Sequence, residues 1–364
     1  MAEPFKNWLH RGLVEHAASR LHHAWPAFDH PRFITLGADG LEALELKARA
    51  LQITRALQHT LPVDFDTAAG LIERVLQGDE GLQGWVLWPF GEYVAQQGQA
   101  QPERALQVLH ALTPRFTAEF AIRSFIVNHS ALTYATLARW AADPNEHVRR
   151  LVSEGSRPRL PWGLQLKAQV ADPSPGLRLL AALQDDPSEY VRRSVANHLN
   201  DIAKDHPAVV AQWLENHLPD ASAERRALLR HASRTLIKQG HPRVLAAWGL
   251  GAAFEGRAQW AVSPAAIGMG ESLQLSLHLQ SSSRTAQTLV VDYVVHHVKA
   301  DGGRTPKVFK GWKLTLAPGA DVQLSKRHTI KPITTRRYHA GLHRVDVQVN
   351  GQVLAGADFE LRLA

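Results

Sequence analysis

The sequence predicts an all-α repeat solenoid followed by a C-terminal all-β sandwich, and three observations carry that reading. Residues 41–61, L-E-A-L-E-L-K-A-R-A-L-Q-I-T-R-A-L-Q-H-T-L, place apolar residues at 44, 46, 51, 53, 57 and 61 with alanines between. That is helical spacing in strong helix formers. Helical text of this kind continues to about residue 250, punctuated by Pro and Gly. Beyond residue 265 the period changes. L-Q-L-S-L-H-L (273–279) alternates strictly, V-V-D-Y-V-V-H-H-V (290–298) is β-branched, and H-R-V-D-V-Q-V-N-G-Q-V-L (343–354) reads strand, turn, strand about Asn350-Gly351. Short strands with turn signals about every ten residues predict a small sandwich. The boundary is expected in S-P-A-A-I-G-M-G-E-S (263–272), giving a helical domain over 1–262 and a β domain over 265–364.

The helical part contains a repeat. A-R-W-A-A-D-P-N-E-H-V-R-R-L-V aligns with L-A-A-L-Q-D-D-P-S-E-Y-V-R-R-S-V, so Asp143-Pro144 becomes Asp186-Pro187 and Val148-Arg149-Arg150 becomes Val191-Arg192-Arg193, always 43 residues on. A two-helix repeat of this length resembles the HEAT repeat. The Pro is expected in a helix's first turn, the Asp before it as a cap, and the Val facing the next repeat. One arginine of each pair is expected to bond a neighbouring acid and the other to face a concave surface and hold phosphate. Sequence does not say which.

Composition bounds the chemistry. The chain has 364 residues, 45% apolar and 21% charged, enough for two domains with sizeable cores. It has no cysteine, which excludes disulfides, thiolate metal sites and a cysteine nucleophile and fits a reducing cytoplasm. No apolar h-region opens the chain and no twenty-residue apolar run follows, so neither a signal peptide nor a membrane partner is expected. Net charge is +7, and from Pro264 onward 13 Lys and Arg face 7 Asp and Glu. An acidic partner such as nucleic acid fits that excess, and so does a generic basic surface. In the β-rich part, K-A-D-G-G-R-T-P-K-V-F-K-G-W-K interleaves Lys307, Lys310 and Lys313 with Phe309 and Trp312. K-R-H-T-I-K-P-I-T-T-R-R-Y-H adds further cations. Both are read as basic loops that suit a nucleic-acid backbone or simply a solvated surface. The twenty histidines show no metal-ligand spacing, and no phosphate loop or nucleophile elbow is present, so neither metal nor cofactor is expected.

The densest chemistry lies at S-E-G-S-R-P-R-L-P-W-G (153–163), directly after H-V-R-R-L-V. Pro158 and Pro161 end the helix and bias Arg157 and Leu160 toward extended backbone. The loop presents Glu154 at a helix end, Trp162 beyond it, and Arg157 and Arg159 between. It is either a built site or a solvated connector whose Trp packs on the next repeat. Glu119 stands one turn from Arg123 and is open to simple surface pairing with it. Asp201 follows the second V-R-R and is open to being an exposed helical acid.

Taken together, A-E-P-F-K-N-W near the start, F-A-I-R-S-F (120–125) and H-V-R-R-L-V-S-E-G-S-R-P-R-L-P-W (147–162) resemble the AlkC family of DNA glycosylases, relatives of AlkD built on HEAT-like repeats. The resemblance covers most of residues 1–250. It implies a HEAT-like solenoid with an immunoglobulin-like C-terminal sandwich. It also implies monofunctional release of cationic N-alkylated bases such as 3-methyladenine and 3-methylcytosine from double-stranded DNA, without base flipping or lyase activity. Glu154 and Trp162 fall inside the matching motif, and Glu119 and Asp201 are placed by their neighbourhoods. Arg123, Arg150, Arg157, Arg159 and Arg193, with Lys307, Lys310 and Lys313, are expected to hold DNA. A bacterial cytoplasmic monomer, on the nucleoid when bound to DNA, is the implied setting. The chemistry is coherent: an N3-alkylated base is already cationic and leaves without a general acid. A carboxylate 4 Å from the developing sugar cation contributes on the order of 4 kcal/mol at an effective dielectric near 20, roughly a thousandfold in rate. A non-enzymatic HEAT-repeat scaffold for DNA or protein is the competing reading, and it needs no such set of acids.

Overall fold

Helical spacing becomes helix throughout the first two-thirds of the chain, the last helix being Pro242–Ala247, and strands begin at Gly256. The computed structural model describes residues 4–250, 252–333 and 336–363, so Ala2 and Glu3 of the first family stretch, and Thr334-Thr335, lie outside it. The 41–61 segment is a short 3₁₀ turn, Leu41–Ala43, and a helix, Leu46–Thr60. Its buried stripe is Ala50, Ile53, Thr54, Ala56 and Leu57, whereas Leu51 is 41% exposed. The small residues, not every leucine, set the face on which the helices His30–Ala38 and Leu87–Gln97 pack.

The repeat appears as two equivalent helices, Glu146–Gly155 and Glu189–Ile202. Val148 and Val191 are both fully buried. The turn chemistry differs from the expectation. Asp143 Oδ1 accepts from the Asn145 N–H at 2.8 Å and Asp186 Oδ1 from the Ser188 N–H at 2.9 Å, so each Asp shapes the turn rather than capping the helix. The prolines sit within that turn, two residues ahead of each helix, and Asn145 is the cap, accepting from the His147 N–H at 2.8 Å. The first arginine of each pair closes the same turn. Arg149 Nη1 donates to the carbonyls of Asp143 (2.9 Å) and Pro144 (3.0 Å), and Arg192 Nη1 to those of Asp186 (2.6 Å) and Pro187 (2.9 Å). Arg149 also holds Asp186 through two bonds of 2.6 and 3.0 Å, tying one repeat to the next. The structural member of each V-R-R is therefore the first arginine.

Contacts divide the chain into two compact units. One comprises the residues up to Asp205 with Ser222–Ala232, and the other His206–Ala221 with Ser233 onward. The second unit carries strands β1 (Gly256–Ser263), β2 (Ala266–Gly268), β3 (Ser272–Ser281), β4 (Gln287–Val298), β5 (Arg304–Leu316), β6 (Asp321–Thr329), β7 (Gly341–Val349) and β8 (Gln352–Arg362). The first strand thus precedes the segment in which sequence alone puts the domain boundary. Sheets β1-β3-β6 and β2-β8-β7-β4-β5 enclose the core, with Leu273, Leu275, Leu277 and Leu279 of the alternating strand all turned inward. Asn350 and Gly351 turn the β7–β8 hairpin with φ of 50° and 79°, the left-handed pair that Asn-Gly accommodates. A Cβ on Gly351 would lie 2.3 Å from Gly240 Cα, so this position needs glycine for space as well. The stretch carrying Lys307, Lys310 and Lys313 is no loop. It is β5, an edge strand, and all three lysines are exposed along it. Lysines on an edge also discourage pairing with another chain.

Candidate active site

Three carboxylates come from three separate helical segments. Glu119 lies in the turn before helix Ile122–Asn128, where the Thr117 hydroxyl donates to its Oε2 at 2.9 Å. Glu154 occupies the last turn of helix Glu146–Gly155, and Asp201 the last turn of helix Glu189–Ile202. None is a freely exposed acid, their side chains being 12%, 8% and 3% exposed.

Three cations hold them. Arg157 bridges two: Nη1 donates to Glu154 Oε1 at 2.6 Å, and Nε donates to Asp201 Oδ2 at 2.7 Å. Arg150 bonds Glu119 Oε2 through Nη1, lies 3.5 Å from Glu154 through Nη2, and rests over the Tyr190 ring. Lys204 Nζ donates to Asp201 Oδ1 at 2.8 Å. The Ser194 hydroxyl donates to Glu154 Oε2 at 2.6 Å. Burial alone lowers the guanidinium pKa of Arg150 and Arg157, but the facing carboxylates outweigh it and raise both. These arginines stay charged, and the group carries as many positive as negative charges.

This arrangement corrects several expectations. Arg157 does not reach out for phosphate, because its guanidinium is buried between two acids. Arg150, 17% exposed, is likewise turned into the group. Glu119 pairs with Arg150 and not with Arg123. Arg123 is fully buried and cannot contact DNA. Its Nη1 donates to the carbonyls of Gly155 and Arg157 at 2.8 Å each and its Nε to that of Leu164 at 2.6 Å, so it anchors the proline-stiffened loop from inside. Asp201 is buried, not solvated.

Residues 113–236 match a family described as DNA alkylation repair enzyme, and residues 257–363 one described as the C-terminal Ig-like domain of the uncharacterised protein YhaZ. YhaZ of Bacillus subtilis strain 168 is 36% identical over 367 residues, 99% of either chain. The alkylpurine DNA glycosylase AlkC of Pseudomonas fluorescens, solved on DNA containing an abasic-site analogue, is 38% identical with a TM-score of 0.92, covering 99% of this chain and 100% of its own. The chain belongs to the AlkC family. The AlkC architecture accounts for both parts of the sequence, the helical repeats and the immunoglobulin-like sandwich.

Within this AlkC-family chain, Trp162 stands apart from the ion pairs. It is 59% exposed and has φ of 65°, a left-handed backbone that is costly for a bulky residue. Lys47 Nζ donates to its carbonyl at 2.6 Å and the Phe5 ring meets it edge-on at 6.2 Å. It lines an aromatic cleft with Trp88 and with Phe120, the neighbour of Glu119. Arg159 is held by Asp205 through two bonds of 2.7 Å. Arg193 is 68% exposed and pairs at the surface with Glu189. Sequence reasoning missed Thr117, Ser194 and Lys204, none of which stands out among its neighbours.

His198 lies beneath the group, fully buried, its Nδ1–H donating to the Ser153 carbonyl at 3.0 Å. Burial pulls its pKa down to about 4, against 6.5 in the unfolded chain. The unfolded chain therefore binds an extra proton between these values. The stability that His198 confers is complete above pH 6.5 and drains away as pH falls toward 4, by about 3 kcal/mol in all. Urea unfolding at pH 7 and pH 5 is expected to show this loss, and His198→Phe to flatten it. An unaltered pH slope in the variant would assign the loss to other groups.

Proposed function

We propose that this chain is a monofunctional DNA glycosylase that releases cationic N-alkylated bases, 3-methyladenine and 3-methylcytosine, from duplex DNA without flipping them. The observation that carries this reading is the convergence of Glu119, Glu154 and Asp201 into one buried, ion-paired group. A binding scaffold has no use for three desolvated acids, whereas a departing cationic base leaves a positive charge on the sugar that such acids stabilise. The glycosidic bond breaks with both electrons going to the base, which leaves neutral. Glu154 and Asp201 face the sugar cation, both oriented by Arg157. Glu119 Oε1, which takes none of the bonds described above, orients the water that adds to C1′ and accepts its proton. No step needs an amine nucleophile, so no strand cleavage accompanies base release. The absence of flipping rests on the family resemblance.

The deciding experiment incubates the protein with methylated duplex DNA and separates free bases by chromatography. Wild type is expected to release 3-methyladenine or 3-methylcytosine, and Glu154→Gln/Asp201→Asn to release neither. Release that survives both substitutions would remove these acids from the mechanism. DNA binding with no release by wild type would favour the scaffold.

We also infer that the exposed lysines of β5 add to duplex affinity. Each phosphate contact contributes about one unit to the slope of log Kd against log salt. Replacing Lys307, Lys310 and Lys313 together with Gln is then expected to reduce that slope by up to about three. An unchanged slope leaves them a solubilising edge.

A further inference from the structure

One cation of the group is held differently from the others. Arg157 is buried and bonded to two acids at once, and Arg150 is wedged between two acids and Tyr190. Lys204 lies just beyond the end of helix Glu189–Ile202, its side chain 45% exposed, with Asp201 Oδ1 at 2.8 Å. The Asp201 side chain is 3% exposed, Arg157 taking Oδ2 and Lys204 taking Oδ1. Lys204 is thus the one partner in this ion-paired group that can swing away into solvent on a flexible stem without disturbing the buried bridge.

We propose that Lys204 is a specificity-determining gate that occupies Asp201 Oδ1 until a cation on the DNA displaces it. The proposal rests on the reading that Asp201 faces the sugar. A neutral nucleotide offers the carboxylate nothing better than the resident ammonium. A sugar or base carrying positive charge competes for the same oxygen and repels the ammonium, and a DNA phosphate is at hand to receive it. Asp201 is then uncovered only where there is positive charge to stabilise. The resident ammonium therefore sets a threshold, since a site engages Asp201 only when its positive charge outcompetes Lys204. A plain phosphate contact makes no such distinction between neutral and cationic sites.

The test compares two duplexes. One carries a pyrrolidine abasic analogue with a cationic ring nitrogen, the other a neutral tetrahydrofuran analogue. Kd is measured for both by fluorescence anisotropy with wild type, Lys204→Gln, Lys204→Arg and Asp201→Asn. Losing a phosphate contact weakens both duplexes equally and cancels in the ratio. Removing a competing cation raises the preference for the charged duplex, by about tenfold for a partly exposed pair. The proposal predicts that rise for Lys204→Gln and a wild-type ratio for Lys204→Arg. A Lys204→Gln ratio that stays at the wild-type value or falls overturns the gate. Asp201→Asn is expected to erase the preference for the charged duplex. If that preference survives, the placement of Asp201 against the sugar is what has failed, independently of Lys204. Lys204 is surface-exposed enough for its variants to fold, and matching thermal melts verify this.

Discussion

Arg123→Met is expected to destabilise the helical unit by about 3 kcal/mol, the largest stability loss predicted for any single residue of the site region. The guanidinium serves three backbone carbonyls, those of Gly155, Arg157 and Leu164, at 2.6–2.8 Å in a place with no water access. Methionine fills much of the volume but leaves three buried acceptors unsatisfied, at about 1–3 kcal/mol each. Part of that cost is offset. Burial, with the charge of Arg157 adding to it, already pushes the Arg123 pKa down to about 10, so the native side chain is itself in an unfavourable state. Nη2 is also buried without a partner. A net of about 3 kcal/mol corresponds to a melting transition lower by roughly 6–12 °C for a unit of this size. Lysine is not expected to rescue it, because one ammonium cannot reproduce the fork. A calorimetric scan within 2 °C or so of wild type would refute the anchoring role.

Arg157→Met is expected to reduce base excision by about a hundredfold or more while leaving the salt slope of binding to undamaged duplex unchanged. The side chain orients Glu154 and Asp201 together, and loss of a preorganising donor of this kind typically costs a factor of 10²–10³. Without it two buried carboxylates lose their shared counter-charge, so some stability falls as well. The salt slope discriminates between readings. A phosphate-binding arginine, as the sequence suggests, would reduce the slope by about one on removal. The buried bridge seen here predicts no reduction. Single-turnover excision and salt-dependent binding on the same variant settle the matter.

The periodic features were legible from the residues. The 43-residue repeat, the alternating strand at 273–279 and the Asn350-Gly351 hairpin all follow from local spacing, which the chain obeys wherever one face is buried. The resemblance pointed to Glu154, Trp162, Glu119 and Asp201, and the structure brings the three acids, though not Trp162, into one ion-paired group. What escaped was the identity of each partner. Periodicity tells which face of a helix is buried but not which side chain of a distant helix meets it there. Arg157 beside two prolines has the appearance of a surface residue, and it is buried only because Asp201, 44 residues on, comes back to it. Neither acid has an acidic counterpart in the repeat, since the position 43 residues before Asp201 is Pro158 and the position 43 residues after Glu154 is Asn197. For Arg123 a signal did exist. It sits in the run F-A-I-R-S-F-I, between Ile122, Phe125 and Ile126, all of them buried, and an arginine on such a stripe must carry its hydrogen-bond acceptors in with it. The basic stretch at 299–313 suggests a loop because its charge outweighs its alternation, and an exposed edge strand tolerates that charge.

The equality of charge within the group bears on how the protein searches DNA. Three bare carboxylates would present a repulsive field to every duplex, damaged or not, and would hold the polyanion off the surface where lesions are inspected. Matched in number by Arg150, Arg157 and Lys204, they cancel beyond a few ångströms. Encounter and sliding are then governed by exposed cations elsewhere, and the ion-paired acids add no drag or barrier to one-dimensional diffusion. Inspection becomes a contact event, felt only when a nucleotide is already in place, so the rate of scanning and the rate of chemistry can be tuned by different residues.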